Sequence, residues 1–127
     1  MEQAAPYAIL IGRVLMSLIF LQAGWEKIGG YAGAVEYMRA AGIPGALLPL
    51  VIITELGGGL LILLGLFTRW AAIALAGFCV LAAWFFHYHP GDSMQMINFM
   101  KNITMAGGFL VLAGSGPGAV ALDNRGR

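Results

Sequence analysis

Long apolar runs separated by short polar breaks dominate this sequence. The runs cover about residues 7–28, 46–66, 70–88 and 97–113. Each has roughly the 20 residues that an α-helix needs to cross ~30 Å of hydrocarbon. The pattern therefore predicts an all-α integral membrane protein, a four-helix bundle that forms a single membrane domain over residues 1–127 and ends in a polar C-terminal tail at 119–127.

Turn and breaker residues set the limits of these runs. The opening "MEQAAPY" lacks the positive region of a signal peptide, so the first run is predicted to be a retained helix with Pro6 in its first turn. The stretch "GIPG" precedes the second run, and "GSGPG" ends the fourth. Because the turn "LFTRW" is short, the second and third helices should be antiparallel neighbours.

A different periodicity lies between the first two runs. Tyr31, Val35 and Met38 recur at helical spacing, whereas Glu36 and Arg39 share another face. This pattern is typical of a short interfacial helix that rests on the membrane surface. A structured loop is the alternative.

Composition supports a membrane location: hydrophobic residues make up 60% of the chain and charged residues 10%. No cluster of basic residues offers a surface for nucleic acid, which we exclude as a partner. The single cysteine, Cys79, cannot form an intramolecular disulfide. Basic residues in the breaks favour a multi-pass orientation with both termini in the cytoplasm, since one side has only Arg39 and the other has Arg69, Arg125 and Arg127.

Ionisable residues inside the apolar runs are the candidates for function, because an unpaired charge at the bilayer centre costs roughly 3 kcal/mol. We expect Glu55 to pair with Arg13, and Lys101 to pair with Glu26 or Glu55. These pairs either fix which helices touch or mark a path for a proton or substrate, with Glu55 as the candidate proton relay. The remaining members of the predicted polar cluster are Gln22, Lys27, Thr54, Gly58, His87 and Asn102.

Small residues predict where helices come close, since helices in lipid associate by close packing. Gly57, Gly58 and Gly59 form one such patch, and Ala106, Gly107 and Gly108 form another, which we expect to face the first. A kink beside a ligand is the alternative for the triple glycine.

The stretch "FFHYHPGDSMQM" contains residue types that bind soft metals. His87 and His89 point apart if they lie on a helix, and no further ligand pair completes a set, so we predict no metal site. A hydrogen-bonded pair at the interface and participation in proton or cofactor chemistry both stay open.

Three stretches resemble the DoxX family of small four-helix membrane proteins: "RVLMSLIFLQAGWEKIGGYAGAVEYMRAAGIPG", "TELGGGLLILLGLFTRWAA" and "FMKNITMAGGFLVLAGSGPGAVALD". The family takes its name from the likeness of its members to a small membrane subunit of an archaeal thiosulfate:quinone oxidoreductase. The resemblance therefore implies a bacterial inner-membrane protein that is a membrane subunit or anchor of an oxidoreductase system, with quinone as the candidate cofactor.

The expected partners of this chain are the lipid bilayer, a soluble or membrane oxidoreductase, and further copies of the chain in a homo-oligomer. A membrane scaffold or assembly protein with no reaction of its own is the main alternative. A transporter of a small lipophilic molecule is a weaker one, since the chain is short and has no inverted repeat. No complete catalytic constellation is visible, so catalytic residues are not assigned.

Overall fold

The computed structural model describes residues 3–124, and within that range it is built from helices and turns without strands. Four segments are long and apolar enough to cross a membrane. The predicted all-α bundle is confirmed, together with the short helix between the first two spans. The helices are α1 (Ala5–Gly29), α2 (Tyr31–Ala40), α3 (Leu48–Leu64), α4 (Thr68–Ala82) and α5 (Ser93–Ser115).

Capping chemistry and turn residues explain where these helices begin and end. Pro6 lies in the first turn of α1, where its missing N–H is not needed. α3 ends at Gly65, which adopts the left-handed conformation at φ 70°. α5 starts earlier than the apolar run suggests, because Asp92 caps it by accepting hydrogen bonds from Met94 N at 3.1 Å and Gln95 N at 3.2 Å.

The bundle is assembled from two closely packed helix pairs, α1 with α3 and α4 with α5, and α3 also packs on α4. Aromatic rings fill its centre. Phe20 of α1 makes edge contacts with Phe78 of α4 and Phe109 of α5, with ring centroids 6.3 and 5.4 Å apart. The core thus includes side chains of α1, α3, α4 and α5.

Two of the three consecutive glycines of α3 lie at helix contacts. A Cβ added at Gly58 would lie 3.0 Å from Leu75 of α4, and one at Gly59 would lie 3.2 Å from Phe20 of α1. Gly57 has open space. The expectation that this patch faces the glycines of α5 is wrong, because α3 lies between α1 and α4. The helix continues through the glycines without a break, which favours close packing over a kink.

The outside of the bundle is apolar along its length. Leu15, Ile53, Trp70 and Val111 are each more than half exposed. In a soluble protein such a surface would drive aggregation, whereas in a bilayer it is the surface that contacts lipid.

One end of the bundle is closed by α2 and by a π-helical turn at Ala83–His87. Tyr37 of α2 stacks on Phe86 with ring centroids 5.1 Å apart. Met38 is buried at 4% exposure, as expected for the apolar face of this short helix. The other end contains the α3–α4 turn and residues 116–124.

Candidate functional site

A buried ion pair joins α1 to α3. Lys27 Nζ lies 2.9 Å from Glu55 Oε1, and the two side chains are 32% and 5% exposed. Lys27 belongs to the last turn of α1, and Glu55 lies in the first half of α3. Glu55 is therefore enclosed by the bundle, whereas Lys27 is partly exposed at the end of α1.

Close packing at Gly24 determines this pairing. A Cβ at Gly24 would lie 2.6 Å from Leu56 Cγ and 3.2 Å from the backbone N of Leu56. Since only hydrogen fits there, α1 and α3 approach each other next to Glu55. The crossing places the Glu55 carboxylate beside the last turn of α1, within reach of the Lys27 ammonium group.

The predicted pairing of Arg13 with Glu55 is wrong. Arg13 Nη1 donates hydrogen bonds to the carbonyl oxygens of Pro117 and Val120, both at 2.8 Å, and Arg13 is 2% exposed. The crossing at Gly24 is about 16 Å from Arg13 along α1, at 1.5 Å per residue. An arginine side chain cannot span that separation.

The predicted pairing of Lys101 with Glu26 or Glu55 is also wrong. Within residues 3–124, Lys101 forms neither an ion pair nor a hydrogen bond. Gln22 Nε2 donates instead to Glu26 Oε1 at 3.1 Å, within α1. Lys101 is exposed because α5 packs most closely on α4, away from the Lys27–Glu55 pair.

Two other members of the predicted cluster satisfy their hydrogen bonds inside their own helices. Thr54 Oγ1 donates to the Leu50 carbonyl at 2.8 Å, and Asn102 Nδ2 donates to the Asn98 carbonyl at 3.1 Å. Such bonds add no link between helices. The structure thus brings together Lys27 and Glu55, and leaves the rest of the predicted polar cluster dispersed.

His87 forms a local contact at the end of the bundle. Its Nδ1 lies at hydrogen-bonding distance, 2.8 Å, from Gln95 Oε1 of α5. In the described part of the chain no group of three or more His, Cys, Asp or Glu residues could hold a metal ion. The contact joins the π-helical turn to α5 and explains the polar character of this stretch.

Sequence reasoning missed the role of Asp123. Its two carboxylate oxygens accept hydrogen bonds from Phe67 N at 2.7 Å and Thr68 N at 2.9 Å, at the start of α4. An acidic residue suits a helix N-terminus, whose first N–H groups lack partners inside the helix. The sequence does show an acidic residue in the short C-terminal tail. The residues around it do not indicate that the tail folds back onto the start of α4.

The part of the chain that contains the ion pair matches a known family. The family model described as DoxX covers residues 8–88. The chain belongs to the DoxX family. The DoxX match runs from α1 to the end of the π-helical turn and includes both Lys27 and Glu55, whereas Lys101 lies beyond it.

Curated relatives of this DoxX protein extend the similarity. "Inner membrane protein YqjF" of Escherichia coli (strain K12) is 49% identical over 97% of this chain and 95% of its own length. "Inner membrane protein YphA" of the same organism is 40% identical over 96% and 92%. "Putative oxidoreductase CatD" of Bacillus subtilis (strain 168) is 29% identical over 60% of this chain and 57% of its own. No solved structure gives a significant match.

Proposed function

We propose that this DoxX protein is the membrane subunit of an oxidoreductase system, in which the Lys27–Glu55 pair transfers protons to a bound lipophilic carrier such as a quinone. The observation that carries the proposal is the burial of Glu55, paired with Lys27, inside membrane-spanning helices, a location where ionisable residues commonly serve proton, ion or substrate paths. The partial relative named as an oxidoreductase supports redox chemistry.

The two members of the pair differ in exposure, as a proton path from the end of the bundle to its interior requires. The Glu55 carboxylate is enclosed beside Leu56, and an added Cβ at Gly57, two residues farther along α3, would meet no atom within 4 Å, which leaves room for a flat ring at the backbone. Lys27 is a third exposed and lies in the last turn of α1. A proton can therefore pass from the bundle end through Lys27 to Glu55. Quinone reduction consumes electrons and protons together, and the electrons come from the partner oxidoreductase.

The substitution Glu55→Gln tests this role, because it preserves the size of the side chain and removes its proton exchange. We expect the variant to insert with reduced stability, because Lys27 loses its partner, and to lose quinone-linked activity or the quinone retained through gentle purification, the latter measured by mass spectrometry of the extracted protein. Glu36→Gln, on the exposed face of α2, is the matched control. Wild-type quinone content together with wild-type quinone-linked activity in Glu55→Gln would refute the relay.

A scaffold function is the second candidate, favoured by the fact that the ion pair bridges α1 and α3 and so locks two helices together. The double substitution Lys27→Glu with Glu55→Lys separates the two candidates. A scaffold recovers both stability and partner copurification in the swapped protein. A proton relay recovers stability but not quinone-linked activity, since the carboxylate has moved to the end of α1.

A further inference from the structure

A groove opens between α1 and α5 on the lipid-facing side of the bundle. The two helices meet where Met16 approaches Gly108 and where Phe20 packs on Phe109. Beside this contact, towards the start of α5, lies an open groove with a volume of about 660 Å³. Besides Lys101, the groove is lined by Ile19 of α1 and by Met96, Ile97, Met100, Thr104 and Met105 of α5.

Lys101 is the charged group of this groove. It lies about 12 Å from the first residue of α5 along the helix axis. Side chains of an α-helix lean towards its N-terminus, so the ammonium group points to the membrane surface at which α5 begins. An ammonium group without a counter-ion in hydrocarbon is costly, and a partner anion near that surface would stabilise it.

No acidic group of residues 3–124 forms an ion pair with Lys101: Glu36 lies on the exposed face of α2, and the acids near the ends of the membrane helices have other partners. Glu55 pairs with Lys27, Glu26 accepts a hydrogen bond from Gln22, and the Asp92 carboxylate caps α5. An anion for Lys101 therefore has to come from outside the described chain. At the depth that the ammonium group reaches, the abundant anion is the phosphate of a phospholipid headgroup.

We propose that this groove is a binding site for one anionic membrane phospholipid, with its phosphate on Lys101 and an acyl chain along Met96, Met100 and Met105. Methionine side chains are flexible and adapt to an irregular apolar chain. A zwitterionic phospholipid carries its own ammonium group beside the phosphate, and a quinone offers no anion. Charge complementarity thus selects an anionic lipid over both.

Native mass spectrometry of the purified, delipidated full chain tests the proposal. Phosphatidylglycerol and phosphatidylethanolamine with identical acyl chains are titrated separately. We expect one phosphatidylglycerol to bind the wild type more tightly than phosphatidylethanolamine. Lys101→Gln should weaken phosphatidylglycerol binding about fivefold, the factor that one basic group near an anionic lipid supplies. Lys101→Arg should bind like the wild type.

Two further variants complete the design. Arg39→Gln removes an exposed charge from α2 and should leave phosphatidylglycerol binding unchanged. Met100→Trp fills the groove without altering charge and should weaken binding, which keeps the proposal testable if Lys101→Gln does not fold.

Several results would overturn it. One is equal binding of the two lipids. Another is equal phosphatidylglycerol binding by the wild type and Lys101→Gln. A third is a lipid-free dimer that depends on Lys101, which would make a second copy of the chain the occupant of the groove. Equal loss of thermal stability in Glu26→Gln and Lys101→Gln without any loss of lipid binding would assign Lys101 to Glu26 instead.

Discussion

Glu55 depends on Lys27 for charge compensation inside the bundle, since only 4% of the residue is exposed. Removal of one member of a buried ion pair leaves the other without compensation. We expect Lys27→Met to lower the free energy of unfolding by about 3 kcal/mol. The midpoint of thermal unfolding in a mild detergent, compared with that of the wild type, measures the effect.

The double substitution Lys27→Met with Glu55→Met controls for the loss of packing. It removes both charges at once and should return stability close to that of the wild type. Arg39→Met replaces an exposed basic residue and should have little effect. If the single substitution is as stable as the wild type, Glu55 does not depend on Lys27.

At the scale of the helices, the crossing of α1 and α3 is set by a missing side chain. A Cβ at Gly24 would meet Leu56 at 2.6 Å, whereas a Cβ at Gly57 would meet nothing within 4 Å. We expect Gly24→Ala to destabilise the protein by about 1–3 kcal/mol through overpacking. Gly57→Ala should be neutral or stabilise α3 by up to ~1 kcal/mol, because alanine is the better helix former.

Thermal unfolding of both alanine variants in the same detergent compares a contact glycine with an open one. Leu56→Ala in the Gly24→Ala background should recover part of the loss, since it removes the atoms that clash. Equal stability of Gly24→Ala and Gly57→Ala would contradict the close crossing.

The helices themselves were predictable from the sequence, but their register was not. Four apolar runs and the stripe of Tyr31, Val35 and Met38 are local patterns, and periodicity shows them directly. The need of Glu55 for a partner also follows from its surroundings. Its choice of Lys27 depends on the approach of Gly24 to Leu56, a contact between two helices that no local pattern specifies.

For the whole molecule, four crossings place the start of α1 and residues 116–124 at the same end of the bundle, and the basic residues predict that this end is cytoplasmic. Arg125 and Arg127, which contribute to that prediction, lie outside the described residues. We expect green fluorescent protein fused after residue 127 to fluoresce, and alkaline phosphatase fused after Gly42 to be active.

The reciprocal fusions provide the control: alkaline phosphatase after residue 127 should be inactive, and green fluorescent protein after Gly42 should be dark. The opposite pattern of activities would invert the topology. It would leave the internal contacts of the bundle unchanged, since they do not depend on which side faces the cytoplasm.

The long-range contacts of the molecule could not be read from the sequence. Arg13 was recognised as a charge that needs a partner, yet its acceptors are carbonyl groups 50, 104 and 107 residues away. Backbone carbonyls have no sequence signature. Two contacts hold the tail against the bundle. Arg13 of α1 donates to the tail carbonyls, and Asp123 of the tail caps α4.

The order of synthesis gives the Arg13 contact a further consequence. The ribosome makes Arg13 within the first helix, but it makes Pro117 and Val120 only after all the membrane helices are complete. Until then the guanidinium group lacks both acceptors at 2.8 Å and has only the Leu63 carbonyl of α3, at 3.4 Å. Chains that end before Pro117 should therefore be less stable in the membrane than the finished chain, because a buried arginine is left with unpaired donors.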